Sequence, residues 1–333
     1  MNNWSELIQA SNYTTLDSQS AAAEGRPLRL CTLDHKCVLD VIGPDCKTFL
    51  QGQLTCDLDE VSTTQWRLGA HCNHKGRMLS SFRASALGEE HIRLILRQNI
   101  SANAHKALAK YAIFSKAELT LNADCIGLGL HGQGAPDQLQ AWQLQAPAEG
   151  HCSEQNGIQV LNISDDRFEI WADREQIKNL LDQLKSEPVL VDNGYWRLLD
   201  IRAGIAEVEA GVEESIIPQM LNFNELGGIN YQKGCYTGQE IIARMQYRGN
   251  LKRHTVRLVN TKDTVAESQL SSGRELFGAD STQAVGELVN VATSAEGIEA
   301  LAVVKDNASQ NALALSPDGP WNFTVEPLPY AIT

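Results

Sequence analysis

The stretch KGCYTGQE, residues 233–240, puts a cation, a thiol and two glycines into eight residues directly ahead of an apolar-periodic helix carrying Ile241, Ile242 and Met245. Thr237 and Glu240 have the spacing of a capping box, in which the hydroxyl accepts from the third helical amide and the carboxylate reaches back to the cap amide. Gly234 and Gly238 suit a backbone conformation closed to other residues, or the close approach of a ligand. Cys235 then sits beside Lys233 and just ahead of a helix N-terminus, and both features favour a thiolate. Cys235 is therefore the candidate reactive cysteine of the chain, set against the plainer reading of a small apolar filler.

Downstream, residues 241–262 contain no Asp or Glu, while Arg244, Arg248, Lys252, Arg253, Arg257 and Lys262 are positive and Tyr247 is interleaved. In a chain of net charge −13 this asymmetry focuses field on a phosphate or polyglutamate-like partner. The competing reading is a solvated face that complements a helix C-terminus. Short strands at 254–259, 284–291, 300–304 and 323–325, separated by turns, then predict a small β-barrel or sandwich.

Upstream, a helix over 193–203 ends at Gly204 in the usual left-handed cap and carries Tyr195 and Trp196. Asp173 caps a helix whose Ile177, Leu180, Leu181 and Leu184 form a buried stripe. Strands are expected at 28–33, 37–42, 91–96, 125–130 and 167–171. Helices are expected after Gly43-Pro44-Asp45, from Ser101, and over 136–144. Residues 65–85 read as a hairpin turning at Asn73-His74-Lys75-Gly76. His71, Cys72 and His74 lie close together, but neighbours on a strand face opposite sides, so no metal site is expected. The polar residues 1–26, ending at Gly25-Arg26-Pro27, read as a loosely held arm.

A length of 333 residues suggests two or three domains at about 150 residues each. With 43% hydrophobic and 21% charged residues, no secretory pattern at the N-terminus and no run of about eighteen apolar residues, a cytoplasmic protein off the membrane is expected. The eight cysteines form no C-x-x-C pair and read as reduced thiols. The acidic balance excludes nucleic-acid binding driven by total charge, so any RNA contact must use a local patch.

KGCYTGQE, with IPQMLNFNELGGINYQ before it and ARMQYRGNLKR after it, closely resembles the signature of the YgfZ family. These are bacterial folate-binding proteins linked to tRNA modification and to the upkeep of iron–sulfur enzymes, and they are relatives of the glycine-cleavage T-protein. The likeness runs more loosely from about residue 28 to 328, through KYAIFSKAEL at 110–119 and EPLPY at 326–330. It implies an α+β, T-protein-like three-domain ring of two interleaved ferredoxin-like domains and a C-terminal β-barrel. The implied boundaries are a polar arm at 1–27, one α+β domain at 28–45 and 118–205, a second at 46–117 and 206–250 carrying KGCYTGQE, and the barrel at 251–333.

In the family the Trp of a W-x-x-L-x-I-x-x-G pattern is implicated in folate binding, and Trp196 occupies it with Leu199, Ile201 and Gly204 in register. A second tryptophan is expected after the Leu33-Asp34 pair, where this chain has Lys36, a residue suited to pair with the glutamate tail of folate. The resemblance thus implies a protein that binds tetrahydrofolate or a derivative and supports tRNA modification, with maintenance or repair of iron–sulfur enzymes of the tRNA methylthiolation type. Cys235 and Lys233 would carry the chemistry, with Gly234, Tyr236, Thr237, Gly238, Gln239 and Glu240 completing the loop. Arg244, Arg248, Lys252 and Arg253 would contact RNA or another anion, and no metal is implied. The expected partners are folate, and tRNA or iron–sulfur tRNA-modifying enzymes, for a monomer.

Two other functions stay open. A folate-dependent aminomethyltransferase needs a buried carboxylate near the pterin, and spacing does not choose among Asp192, Asp200, Glu207 and Glu209. An RNA-binding scaffold without catalysis would use the basic run alone. The thiol-bearing loop favours an accessory folate-binding protein over a classical aminomethyltransferase.

Overall fold

The largely buried segment Lys36–Ile42 forms the strand around which one sheet is laid, with His91–Arg97 antiparallel on one side and Glu118–Asn122 on the other. Met78–Gly88 and Arg67–Cys72 complete this five-stranded sheet. The turn between those last two strands closes as expected, Asn73 N donating to Arg77 O at 2.8 Å and Gly76 taking a φ of 69°. Asp40 lies buried in the central strand opposite Arg93, whose Nε is 3.0 Å from its Oδ1. Burial alone would raise the Asp40 carboxyl, but His91, Arg93 and Asn122 around it hold it well below the usual carboxylate range.

The computed structural model describes residues 3–9, 14–16, 28–164, 166–184, 189–261, 265, 269–278, 281–308, 311–319 and 323–332. By packing, the chain divides into two units, one of Met1–Gly52, Asp57–Leu68 and Phe82–Trp196, the other of Gln53–Cys56, Gly69–Ser81 and Arg197–Thr333.

The first unit holds a seven-stranded sheet. Its order is Thr14–Leu16, Val189–Val191, Arg29–Thr32, Cys125–His131, Arg167–Asp173, Ile158–Ser164 and Cys152–Gln155, parallel at the first two pairings and antiparallel after. Two glycines in the Cys125–His131 strand make room for indoles. A Cβ on Gly127 would lie 2.6 Å from the Trp171 ring, and one on Gly129 would lie 2.5 Å from the Trp196 ring. Asp173 caps its helix as expected, and Gln176 reaches back to complete a capping box, while the helix Arg174–Asp182 buries Ile177, Leu180 and Leu181 on this sheet.

The loosely held arm is not what residues 3–9 form. Asn3–Gln9 is a helix that buries Trp4 and Leu7 in the core of the seven-stranded sheet, and the Trp4 Nε1 donates to Gly127 O at 3.0 Å. Two apolar side chains spaced three apart suffice to dock a short helix, even where most of its neighbours are polar. The strand Ile158–Ser164 was also not expected, although its IQVLNIS alternation carries the signal.

The second unit contains a six-stranded sheet in the order Leu313–Ala314, Glu275–Gly278, Gly286–Ser294, Gly297–Lys305, Arg253–Asn260 and Thr324–Glu326. Leu313 and Phe323 exchange backbone hydrogen bonds at 3.0 Å, so the sheet curls back on itself into a nearly closed barrel. Leu258, Leu276, Leu288, Ala300, Ala302 and Phe323 fill its interior. The preceding helix Asn193–Arg202 ends near Gly204 at φ 69°, where the Tyr330 hydroxyl donates to Gly204 O at 2.8 Å. Among the described residues no helix is long and apolar enough to cross a membrane.

Candidate functional site

The KGCYTGQE loop is held, within the second unit, by chain 177 to 179 residues away in sequence. The Lys233 Nζ donates to Leu54 O at 2.8 Å and to Cys56 O at 2.7 Å, with the Tyr236 ring centroid 5.2 Å away. Asn230 Oδ1 accepts from the amides of Gln232 and Lys233, and Asn230 N donates to Thr55 O at 2.9 Å. Lys233 and Tyr236 are buried while Cys235 between them is exposed. The lysine ammonium is thus spent on two carbonyls, and the thiol is turned outward on a loop pinned at both sides.

The capping box expected at Thr237 and Glu240 does not form. The helix Gln239–Arg248 starts one residue later than that motif requires, with Gly238 as its N-cap at φ 84°. The Thr237 hydroxyl donates instead to Gln53 Oε1 at 3.2 Å. Gly238 is required twice over, by its positive φ and because a Cβ there would stand 2.6 Å from Asn73 O. Gly234 has no such need, since a Cβ there would meet open space.

All eight cysteines are described, and Cys235 is the exposed one. Burial pushes Cys37 and Cys125 up to about 11 and Cys152 up to about 12, and raises Cys31 and Cys72 further. These thiols stay protonated and inert at neutral pH.

Beneath the same loop His71 is 1% exposed, with neither ring nitrogen hydrogen-bonded, and burial lowers it to about 4. The Tyr236 hydroxyl also lacks a partner, and burial raises it. Among the described residues no three His, Cys, Asp or Glu side chains are grouped to hold a metal. His71 stays neutral in the folded chain but protonates in the unfolded one below its ordinary value, so stability falls as pH drops from about 6.5 to about 4. The expected loss over that window is about 3 kcal/mol. Urea unfolding of the parent and of His71→Leu at pH 7.5 and 4.5 checks this, the variant showing that much less pH dependence.

The residues assigned to folate meet in the first unit, on a carboxylate that sequence reasoning did not select. Glu169 Oε1 is 3.2 Å from Lys36 Nζ, 3.3 Å from Arg83 Nη1 and 3.2 Å from Trp196 Nε1, while its Oε2 accepts from Trp171 Nε1 at 3.1 Å. The Arg167 guanidinium lies 4.4 Å from the Trp196 ring centroid, and Trp196 is 0% exposed. A lone Glu inside the apolar strand RFEIWAD is the signal that was there to find, because an ion within a buried strand needs partners. Nearby a cavity of about 400 Å3 is lined by Trp4, Asp34, Lys36, Cys37, Asn122 and Cys125 among others.

Of the basic run, Arg244, Arg248 and Lys252 are exposed, as is Tyr247 at 71%. Arg253 is half-buried, and Arg257 is taken up by Glu299 through Nε at 3.0 Å and Nη2 at 2.7 Å. Lys262 lies outside the described residues.

No family model matches the chain. It is 32% identical over 318 residues to the tRNA-modifying protein YgfZ of Yersinia pseudotuberculosis, covering 93% of this chain and 95% of that one. It is 32% identical over 312 residues to the tRNA-modifying protein YgfZ of Yersinia enterocolitica, covering 92% and 94%. Among solved structures it is similar to the glycine cleavage system aminomethyltransferase T from Bartonella henselae, with a TM-score of 0.67 and 16% identity over 86% of this chain and 81% of that one. At that identity the likeness speaks for the fold, a mixed α+β chain of the T-protein kind with a barrel-like sheet. With nearly the whole length aligned to curated relatives, and KGCYTGQE presented on a pinned loop, the chain belongs to the YgfZ family.

Proposed function

We propose that the protein supports the modification of tRNA, assisting iron–sulfur enzymes of the methylthiolating kind, with Cys235 as its reacting group and a reduced folate as its ligand. The carrying observation is the exposure of that one thiol on a loop fixed by Lys233 and Tyr236, while burial keeps Cys31, Cys37, Cys72, Cys125 and Cys152 protonated. The tRNA part is supported by the relatives described as tRNA-modifying proteins.

For folate the residues do not offer an open ring face. Arg167 covers Trp196 at 4.4 Å, and Lys36, although it lines the nearby cavity, is ion-paired with Glu169. A pterin stacking on Trp196 must displace Arg167, and no chemical step is assigned to it. The aminomethyltransferase reading asks for a carboxylate base. Both oxygens of Glu169 are already engaged by cations and indoles, which argues against that role.

In a cell lacking its own copy, Cys235→Ser is expected to leave methylthiolated tRNA near the level without the protein, while the parent restores it. Full restoration by the serine variant would refute the role of the thiol. Calorimetric titration with tetrahydrofolate on the parent and Trp196→Phe tests the ligand, with heat expected from the parent and markedly less from the variant.

A further inference from the structure

Residues 91–117 contain no Asp or Glu, in a chain whose net charge is −13. Within them the helix Ser101–Ala112 buries Ser101, Ala104 and Leu108 and turns Lys106 and Lys110 to solvent. Past the helix the chain turns tightly, Ser115 N donating to Ala112 O at 2.8 Å, and exposes Tyr111 at 48%, Ile113 at 79% and Phe114 at 92%. Phe114 is the most exposed large hydrophobic side chain among the described residues.

This tip is anchored. Lys116 N donates to Asp45 Oδ2 at 2.8 Å, and Asp45 N donates to Lys116 O at 3.3 Å. Gly43, at φ 134°, approaches so closely that a Cβ there would stand 2.2 Å from Lys116 O. An apolar ring fixed in water forgoes the stabilisation of burial and gains nothing inside its own unit, which is the mark of a contact surface. Lys110 also complements the helix C-terminus, but that does not account for Phe114.

The charges say what the partner is. Lys106, Lys110 and Lys116 are exposed on this segment, which carries no carboxylate of its own, while the anions nearest it, Asp45, Glu89 and Glu90, lie on the side of the anchoring turn at 43–46 and Glu118 follows after the tip. Cations interleaved with exposed rings fit a single-stranded nucleic acid, whose bases stack on the rings while its phosphates meet the lysines.

We propose that the 106–116 tip is an RNA contact distinct from the basic run at 244–253, taking a single-stranded segment of tRNA with a base on Phe114. The choice of tRNA rests on the tRNA-modification reading above, and neither Cys235 nor folate enters. Full-length protein titrated with an unmodified tRNA transcript tests it. Phe114→Ala is expected to weaken binding roughly tenfold. Lys106→Glu with Lys110→Glu is expected to weaken it further and to lower the slope of log affinity against log salt by about 1.4. A single-stranded RNA competitor should displace the transcript, and a duplex of equal length should not.

Unchanged affinity in both variants with unchanged circular dichroism, equal competition by duplex, or no binding by the parent would each overturn the proposal. So would a concentration-dependent dimer abolished by Phe114→Ala with RNA affinity intact, which would assign the tip to a second copy of the chain. The thiol reading fails separately, through Cys235→Ser restoring modification in cells while the tip variants still lose RNA.

Discussion

Glu169→Gln is expected to destabilise the first unit by roughly 3–5 kcal/mol. The carboxylate is 0% exposed and faces Lys36 and Arg83, whose side chains are 0% and 1% exposed. The amide keeps the shape but removes the anion, leaving two cations in a water-excluded site where charge is costly. The guanidinium of Arg83 cannot shed its charge. Adding Lys36→Met to Glu169→Gln should therefore recover part of the loss, although each substitution alone is harmful. Urea unfolding followed by tryptophan fluorescence measures all three variants, because Trp171 and Trp196 donate to this carboxylate. A loss below about 1 kcal/mol in the single variant, the scale of a solvent-exposed pair, would mean that water reaches the cluster.

Lys233→Met is expected to cost roughly 3 kcal/mol, since two charge-assisted hydrogen bonds are lost and two buried carbonyls lose a donor. Methionine retains most of the aliphatic stem, so the loss reports the ammonium's bonds to Leu54 O and Cys56 O more than packing against Tyr236. The effect should be local as well as global. Backbone amides of Asn230 and Lys233, which the same loop closes onto Thr55 O and Asn230 Oδ1, should exchange with deuterated water much faster in the variant. Exchange as slow as in the parent would show that the loop stands without the lysine.

Features closed within a few residues were legible. The Asp173 cap needs only Gln176, three positions on, and the turn at residues 73–76 needs only its own asparagine and glycine. The capping box at Thr237 shows the limit of such reading. Its spacing is correct, but the Thr237 hydroxyl has a competing acceptor in Gln53 and Gly238 takes the cap position, so the helix begins later. The helix at Asn3–Gln9 escaped because its docking rests on Trp4 and Leu7, and one Gly127 carbonyl more than a hundred residues away.

From sequence alone came the strand and helix rhythm, the barrel-forming tail, the family and the nomination of Cys235 as a candidate, because periodicity, turn chemistry and a short motif are properties of neighbouring residues. Only the tertiary structure decided which charges meet. Glu169 gathers Lys36, Arg83, Trp171 and Trp196 from separate strands and a helix, and Lys233 ends on backbone carbonyls, which carry no signature in any sequence. Such pairings are selected by the cost of leaving a buried charge or donor alone, and that cost exists only once the chain has closed over it.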